Sequence, residues 1–204
     1  MIRMSRAMGA LLVAAACIAP AILVVAAATA WLTLPPRVQK TVPPVAIGGA
    51  FELTDQDGRR VTEKDLLGRP SAIFFGFTSC PDLCPTTLLE LTNWLKMLGS
   101  EADKLNAVFI SVDSERDTPD QLKLYLSSFD PHIRGLTGNE AQIQQITKAY
   151  RVFYKRIAQD DGGYTYDHSV RIYLMDKGGQ YVGALTYNEP DDSAVAKLRD
   201  LIAG

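Results

Sequence analysis

The chain has 204 residues and a formal net charge of −2, with 47% hydrophobic and 22% charged side chains. This length suffices for one domain and an appendage. Residues 1–38 contain three arginines and no acidic residue, so the remainder carries 18 basic and 23 acidic side chains and a net charge of −5. Because nucleic-acid binding requires a basic face, this balance argues against a nucleic-acid partner.

The first 36 residues are dominated by an apolar segment. Two arginines precede an uncharged stretch of 30 residues, Ala7–Pro36, which is longer than the roughly 20 residues that a membrane helix needs. A cleaved signal peptide is the alternative, since Ala28-Thr29-Ala30 offers a cleavage site. The apolar region of such a peptide is typically only about 7–15 residues long. Length therefore favours a retained transmembrane helix within residues 1–36.

The position of the arginines predicts the orientation of this helix. They lie before the span and none lies within it, which places the N-terminus in the cytoplasm and the following domain outside. We therefore expect a single-pass protein of the bacterial inner membrane whose domain faces the periplasm. Residues 37–44 are rich in proline and predict a short extended tether. The body then covers residues 45–204, long enough to bury a core without disulfides.

The stretch TSCPDLCP, residues 78–85, lies between a predicted strand and a predicted helix. Residues 72–77 form a continuous apolar run, which is typical of a strand buried on both faces. Leucines and a tryptophan recur downstream at helical spacing and predict a helix that starts near Pro85. Proline suits the first helical position, which puts Cys84 at about the N-cap and Cys80 one short loop earlier. The positive end of a helix favours a thiolate over a thiol, so we expect lowered pKa values for both cysteines.

The rest of the body alternates between predicted strands and helices. The expected elements are a hairpin (51–54 and 59–62), a second buried strand (107–112), a helix (119–128), a short link (135–138), a helix capped by Asn139, an antiparallel strand pair (170–175 and 181–186) and a last helix (190–202). This order predicts an α/β sheet flanked by helices, with a hairpin at its edge. Because a cysteine pair lies on the first strand-to-helix turn, a thioredoxin-like fold is predicted.

A histidine provides a third candidate metal ligand. His168 stands just ahead of the predicted strand 170–175, which in a thioredoxin-like sheet lies beside the strand that leads into the cysteine loop. The same edge of the sheet is therefore expected to receive Cys80, Cys84 and His168. Two thiolates and one neutral imidazole form a soft, three-coordinate site, which suits Cu(I), and Cu(II) when water or another oxygen joins. A structural zinc site would require four protein ligands.

Other interpretations of these residues explain less. A purely structural disulfide accounts for Cys80 and Cys84 but not for the two flanking prolines, the helix N-terminus or the Asp-His-Ser sequence at 167–169. The second histidine, His132, is expected to be a solvated loop residue. Three aspartates near these segments are expected to serve turns and loops rather than to bind metal: Asp82, Asp113 and Asp167.

Three segments resemble the Sco/SenC family of copper-binding proteins. They are FGFTSCPDLCPTTL at residues 75–88, SVDSERDTP at residues 111–119, and the stretch from Asp167-His168-Ser169 to Tyr173-Leu174. The resemblance covers the body from about residue 44 to the C-terminus. The chain departs from the family pattern at Ser79, where histidine is common, and at Ser114, where proline is common. Neither departure removes a ligand.

The resemblance implies a thioredoxin-like domain tethered by one N-terminal helix, with copper held by Cys80, Cys84 and His168. It also implies delivery of copper to the dinuclear copper centre of cytochrome c oxidase during assembly of the oxidase. The expected partners are the copper-accepting oxidase subunit, a copper donor and a thiol reductant. A reductant is needed because an empty cysteine pair in the periplasm tends to become oxidised.

Two other functions would use the same residues. A thiol–disulfide oxidoreductase would use Cys80 and Cys84 as a redox pair that keeps the acceptor cysteines reduced. Oxidoreductases of the thioredoxin type, however, usually separate their cysteines by two residues, whereas three residues separate them here. A copper or redox sensor would use the same three ligands. The main expectation is a metal-binding assembly factor, and activity as a reductase stays open.

Overall fold

A computed structural model of the protein describes residues 46–160 and 162–204. The predicted transmembrane segment, residues 1–36, and the predicted tether, residues 37–44, lie outside the described residues. Within the part of the chain that the structure describes, no helix has both the length and the hydropathy that a membrane crossing requires.

The described residues form nine strands and four α-helices. The strands are β1 (Glu52–Asp55), β2 (Arg60–Thr62), β3 (Ser71–Gly76), β4 (Asn106–Ser111), β5 (Ile133–Thr137), β6 (Tyr154–Ala158), β7 (Tyr164–His168), β8 (Arg171–Met175) and β9 (Tyr181–Thr186). The helices are α1 (Leu83–Leu98), α2 (Pro119–Leu126), α3 (Glu140–Tyr150) and α4 (Asp191–Ala203). Short 3-10 segments lie at Glu63–Leu66 and Gly99–Lys104.

Seven of these strands form one mixed sheet in the order β2-β1-β5-β4-β3-β8-β9. Strands β3, β4 and β5 are parallel, whereas β8 runs antiparallel to β3 and β9 runs antiparallel to β8. The hairpin β1–β2 joins the opposite edge through antiparallel pairing of β1 with β5. The structure thus confirms the predicted α/β sheet, its N-terminal hairpin and its antiparallel strand pair.

The centre of the sheet is buried on both faces. Every residue of β3 and five of the six residues of β4 are buried. Helix α1 buries Leu88, Leu91, Trp94 and Leu95 in the same core, and the Trp94 indole N–H donates to Asp191 of α4 at 2.8 Å. Because both faces of the sheet are covered, nearly every residue of the central strands is buried, and their sequences are therefore continuous apolar runs.

Two parts of the fold differ from the prediction. Residues 135–138 were predicted as a link, but β5 extends through most of this segment and lies between β1 and β4. Gly135 indicated a loop, yet a Cβ on it would lie 2.6 Å from Leu126 of α2, so the glycine permits close packing of this helix on the strand. The second difference is a separate two-stranded sheet, β6–β7, which the sequence did not predict.

His132 lies in an exposed turn ahead of β5, as predicted, and it joins two acidic residues. Its Nδ1 lies 2.6 Å from Asp130 Oδ1 and its Nε2 lies 3.0 Å from Asp103 Oδ1. A carboxylate only accepts hydrogen bonds, so both contacts form together only when both ring nitrogens carry a proton. The hydrogen bonds to Asp130 and then Asp103 accordingly raise the pKa of His132.

We expect His132→Gln to lower the free energy of unfolding more at acidic than at alkaline pH. A histidine whose folded pKa lies above its unfolded value of about 6.5 contributes its full stability below that value and loses the contribution as the pH rises through the folded pKa. Each exposed contact is worth less than about 1 kcal/mol. Urea unfolding of the unchanged protein and the variant, below about pH 6.5 and above the folded pKa of His132, measures the difference. A difference that does not change with pH would contradict the raised pKa of His132.

Candidate metal centre

The cysteine loop connects β3 to α1 at the edge of the sheet where β3 and β4 end. Helix α1 begins at Leu83 with Asp82 at the N-cap, so Cys84 lies in the first helical turn and Pro85 is the third helical residue. The predicted helix start was therefore two residues too late. Proline is tolerated at the third position because the first N–H groups of a helix have no intrahelical partner.

The two sulfur atoms of this loop have different surroundings. Cys84 is fully buried, whereas Cys80 is partly exposed, and both are free cysteines. The backbone N–H of Cys84 donates to Cys80 Sγ at 3.4 Å. Gly76, the last residue of β3, leaves space for Cys84, since a Cβ on Gly76 would lie 2.7 Å from Cys84 Sγ and 2.9 Å from the Phe109 ring. The buried sulfur therefore packs directly against the backbone of the strand.

His168 is the last residue of β7. It lies near the cysteines because the chain continues from it into β8, which pairs with β3. Its imidazole packs against Phe77 and Phe74, with ring centroids 5.7 and 6.3 Å apart. Its Nδ1 lies 3.1 Å from the carbonyl oxygen of Ser169. A carbonyl only accepts, so Nδ1 carries the proton. In the neutral ring, Nε2 then keeps its lone pair for a metal ion.

The structure brings the three predicted ligands together. The Sγ atoms of Cys80 and Cys84 and a ring nitrogen of His168 all lie within 4.8 Å of one another, and Cys84 Sγ is 3.4 Å from His168 Nε2. Among residues 46–160 and 162–204, no other group of three or more His, Cys, Asp or Glu side chains is placed to hold a metal ion. An open groove of about 300 Å³, lined by the cysteine loop and β7, leads to the cluster.

The pKa values of the two cysteines move in opposite directions. The hydrogen bond with Cys84, in which the Cys84 thiol donates, lowers the pKa of Cys80 to about 4, and the backbone N–H of Cys84 adds to this effect. The same hydrogen bond, followed by burial, raises the pKa of Cys84. The prediction that the helix N-terminus lowers both values was wrong, because only Cys80 keeps a hydrogen-bonded thiolate. The metal-free pair holds one thiolate and one thiol at neutral pH.

The three aspartates near the site occupy different environments. Asp82 is exposed and precedes helix α1, as predicted for a loop residue, whereas Asp167 is exposed but lies within β7 rather than in a loop. Asp113 lies in the loop after β4, as predicted, but the expectation that it faces solvent was wrong, because it is fully buried and pairs with Arg116. The hydroxyl of Tyr164 also donates to Asp113 Oδ1 at 3.0 Å. These two donors offset the cost of burying the carboxylate.

A second buried carboxylate, Asp117, fixes the cysteine loop and was missed by the sequence analysis. It accepts hydrogen bonds from the Thr78 N–H at 2.9 Å, the Thr78 hydroxyl at 2.6 Å and the Ser111 hydroxyl at 2.5 Å. Burial raises the pKa of Asp117, and these hydrogen bonds oppose the shift. The sequence did contain a signal for this contact. Thr78 and Ser111 are hydroxyl residues near the ends of two adjacent parallel strands, β3 and β4, where a buried carboxylate could accept hydrogen bonds from both.

The fold and the site together define a thioredoxin-like protein with a soft-metal donor set at the end of β3, one of the buried strands of its sheet. Residues 39–203 match the SCO1/SenC family, and the chain belongs to that family.

Several proteins of known structure or sequence are similar to this chain. ScoI of Bradyrhizobium japonicum with copper bound has a TM-score of 0.73 and 51% identity, covering 76% of this chain and 99% of that one. Yeast Sco1 with copper bound has a TM-score of 0.72 and 41% identity, covering 78% and 90%. The mitochondrial protein SCO2 of Saccharomyces cerevisiae is 44% identical over 161 residues, which are 78% of this chain and 54% of that protein. The chain thus spans about half the length of this curated relative.

We expect Gly76→Ala to lower the free energy of unfolding of the reduced protein by about 1–3 kcal/mol, the usual cost of overpacking a filled core. The added methyl group would meet Cys84 Sγ and Phe109, both of which are fully buried. Gly183 on β9 provides the matched control, because nothing lies within 4 Å of its Cβ position. Denaturant unfolding of both variants measures the difference. Equal effects at the two positions would contradict the packing argument.

Proposed function

We propose that this protein is a copper metallochaperone. It binds one copper ion through Cys80, Cys84 and His168 and delivers the ion to the copper-accepting subunit of cytochrome c oxidase during assembly of the dinuclear copper centre. The observation that carries this proposal is the convergence of two sulfur atoms and one imidazole nitrogen within 4.8 Å of one another. The copper in the structures of B. japonicum ScoI and yeast Sco1 supports it.

Copper is the cargo of this protein, and each ligand has its own part in binding it. Cys80 offers a thiolate at neutral pH because its pKa is about 4. Cys84 must release its proton, so loading with copper releases one proton from the buried thiol. His168 offers Nε2, because its Nδ1–H donates to the Ser169 carbonyl. Two sulfurs and one imidazole nitrogen suit Cu(I), and an added oxygen ligand would suit Cu(II).

Release of the ion requires an acceptor thiolate to reach it. The groove beside Cys80 gives this access, whereas Cys84 is fully buried. In the proposed transfer, the acceptor thiolate first replaces Cys80, and the ion passes through an intermediate that shares ligands from both proteins. Cys84 and His168 leave afterwards, and a proton returns to Cys84.

The proposal extends to location and loading partners. The uncharged segment Ala7–Pro36 supports a single transmembrane anchor in the bacterial inner membrane, with the copper-binding domain in the periplasm. A copper donor would load the site there. A thiol reductant would keep the Cys80–Cys84 pair open, since the periplasm oxidises exposed thiol pairs.

The asymmetry of the two cysteines also favours a second function, thiol–disulfide exchange. The Cys80 thiolate would attack one sulfur of an acceptor disulfide, forming a mixed disulfide and releasing one acceptor thiolate. Cys84, after losing its proton, would attack the Cys80 sulfur and release the second acceptor thiolate. The acceptor then gains two electrons, and this protein keeps a Cys80–Cys84 disulfide that a thiol reductant must reduce again.

We expect His168→Ala to lower the affinity for copper by more than about 100-fold, since loss of an outer-shell partner alone can cost that much. Competition with a chelator of known affinity, on the reduced and purified protein, measures this effect. His132→Ala is the matched control, because it removes the second histidine of the chain, which contacts Asp130 and Asp103 instead of the cysteines. The control should bind one copper ion per chain with unchanged affinity.

The same variant separates the two functions. Disulfide exchange with a small disulfide substrate needs the cysteines but not the imidazole, so His168→Ala should retain it. Equal loss of copper binding and disulfide exchange would contradict the assignment of His168 as a copper ligand. An unchanged copper affinity would contradict the metallochaperone proposal itself.

A further inference from the structure

The strand that carries His168 belongs to a hairpin outside the main sheet. Strands β6 and β7 pair with each other and form a sheet of their own. A two-stranded hairpin is only marginally stable by itself. The backbone bond from the Ser169 N–H to the Phe153 carbonyl at 3.0 Å only continues the pairing of these two strands. Contacts that involve side chains therefore determine how this hairpin lies on the body.

Three aromatic side chains of β7 share one face. Tyr164, Tyr166 and His168 alternate along the strand and point to the same side of it. The rings of Tyr166 and His168 both contact Phe77, with centroids 5.4 and 5.7 Å apart. Tyr164 lies at the other end of the strand, about 13 Å from His168 at the usual rise of a strand.

Tyr164 contacts three charged residues, Arg116, Arg156 and Asp113. Two guanidinium groups lie over its ring, with Arg116 Cζ at 3.8 Å and Arg156 Cζ at 3.6 Å from the ring centroid. Its hydroxyl donates to Asp113 Oδ1 at 3.0 Å, and its carbonyl oxygen accepts from Arg116 Nη1 at 2.9 Å. The ring, the hydroxyl and the backbone carbonyl of Tyr164 therefore each have a partner.

Each guanidinium is itself anchored to the segment that follows β4. Arg116 pairs with the buried carboxylate of Asp113. Arg156 of β6 pairs with Glu115 at 2.6 Å. These ion pairs offset the repulsion between the two cations over the ring, and the arginines attract the ring through cation–π contacts.

The same short segment, residues 113–117, also holds the cysteine loop. Asp117 accepts hydrogen bonds from Thr78, two residues before Cys80. The segment 113–117 thus contacts both parts of the chain that supply ligands, the cysteine loop through Asp117 and the hairpin through Tyr164. A change at Tyr164 alters the hairpin side of this connection and leaves the cysteine side intact.

We propose that Tyr164 is a positioning residue for copper binding: it fixes the β6–β7 hairpin so that the His168 imidazole faces the two cysteine sulfurs. This inference rests on the proposed function. Tyr164 does not need to contact the ion, because it acts through the orientation of the strand that ends at His168.

The test replaces Tyr164 by leucine and by phenylalanine and measures copper affinity by chelator competition. Tyr164→Leu removes the ring and the hydroxyl, and we expect an affinity about 10-fold lower, as for other partners that orient a ligand. Tyr164→Phe keeps the ring in contact with Arg116 and Arg156, and it should recover most of the affinity. Tyr187→Leu is the control, because Tyr187 is an exposed tyrosine in the turn after β9 and should bind copper normally.

Two further measurements separate positioning from a general loss of structure. In the spectrum of the Cu(II) form by electron paramagnetic resonance, the nitrogen splitting from His168 should weaken in Tyr164→Leu and persist in Tyr164→Phe. In a His168→Ala background, Tyr164→Leu should cause no further loss of affinity, since the ligand through which it acts is already absent. If Tyr164→Leu lowers copper affinity as much without His168 as with it, the inference is overturned, because Tyr164 would then act on the cysteine loop.

The remaining outcomes are also decisive. If Tyr164→Leu binds copper as tightly as the unchanged protein and with the same nitrogen splitting, Tyr164 is not a positioning residue. If the unchanged protein binds no copper, the proposed function fails and this inference fails with it. If Tyr164→Leu and Tyr164→Phe lose the same amount of copper affinity, the hydroxyl bond to Asp113 does the positioning, and the role assigned to the ring is wrong.

Discussion

The antiparallel pairing of β3 with β8 is the constraint on which the site depends. Cys84 and His168 are 84 residues apart in the chain, and they meet because Phe74 of β3 lies opposite Ile172 of β8. The end of β3, which leads into the cysteine loop, therefore lies beside the start of β8, which His168 precedes by two intervening residues. A shift of one residue in this register would turn the side chains of β8 to the opposite face and move the imidazole away from the sulfurs.

The site combines one fixed ligand with one accessible ligand. Cys84 is buried against the backbone of Gly76 and keeps its proton through burial and its hydrogen bond to Cys80. Cys80 is partly exposed beside the groove and carries the negative charge. In the proposed metallochaperone, this division would let the exposed sulfur exchange while the buried one still holds the ion. The same division gives a reductase its attacking and resolving thiols.

The sequence predicted the elements whose signals are local. Strand β3 and helix α1 carry continuous or helical apolar patterns, and the Cys-x-x-x-Cys spacing with the later histidine identified all three donors. The hairpin β6–β7 was not predicted because none of its residues is fully buried and because it lacks a simple alternation of apolar residues. Its stability comes instead from contacts such as Tyr164 with Asp113, 51 residues apart in the chain. Strand β5 was not predicted because a glycine in a sequence usually indicates a turn, whereas Gly135 lies in the strand and permits close packing of α2.

In the proposed copper site, two sulfurs and one imidazole nitrogen share a single copper ion. X-ray absorption at the copper edge, on reduced protein loaded with Cu(I), reports the neighbours of that ion directly. We expect two sulfur neighbours and one nitrogen neighbour per copper. A copper ion surrounded by sulfur alone, or one without any sulfur neighbour, would contradict the assignment of Cys80, Cys84 and His168 as its ligands.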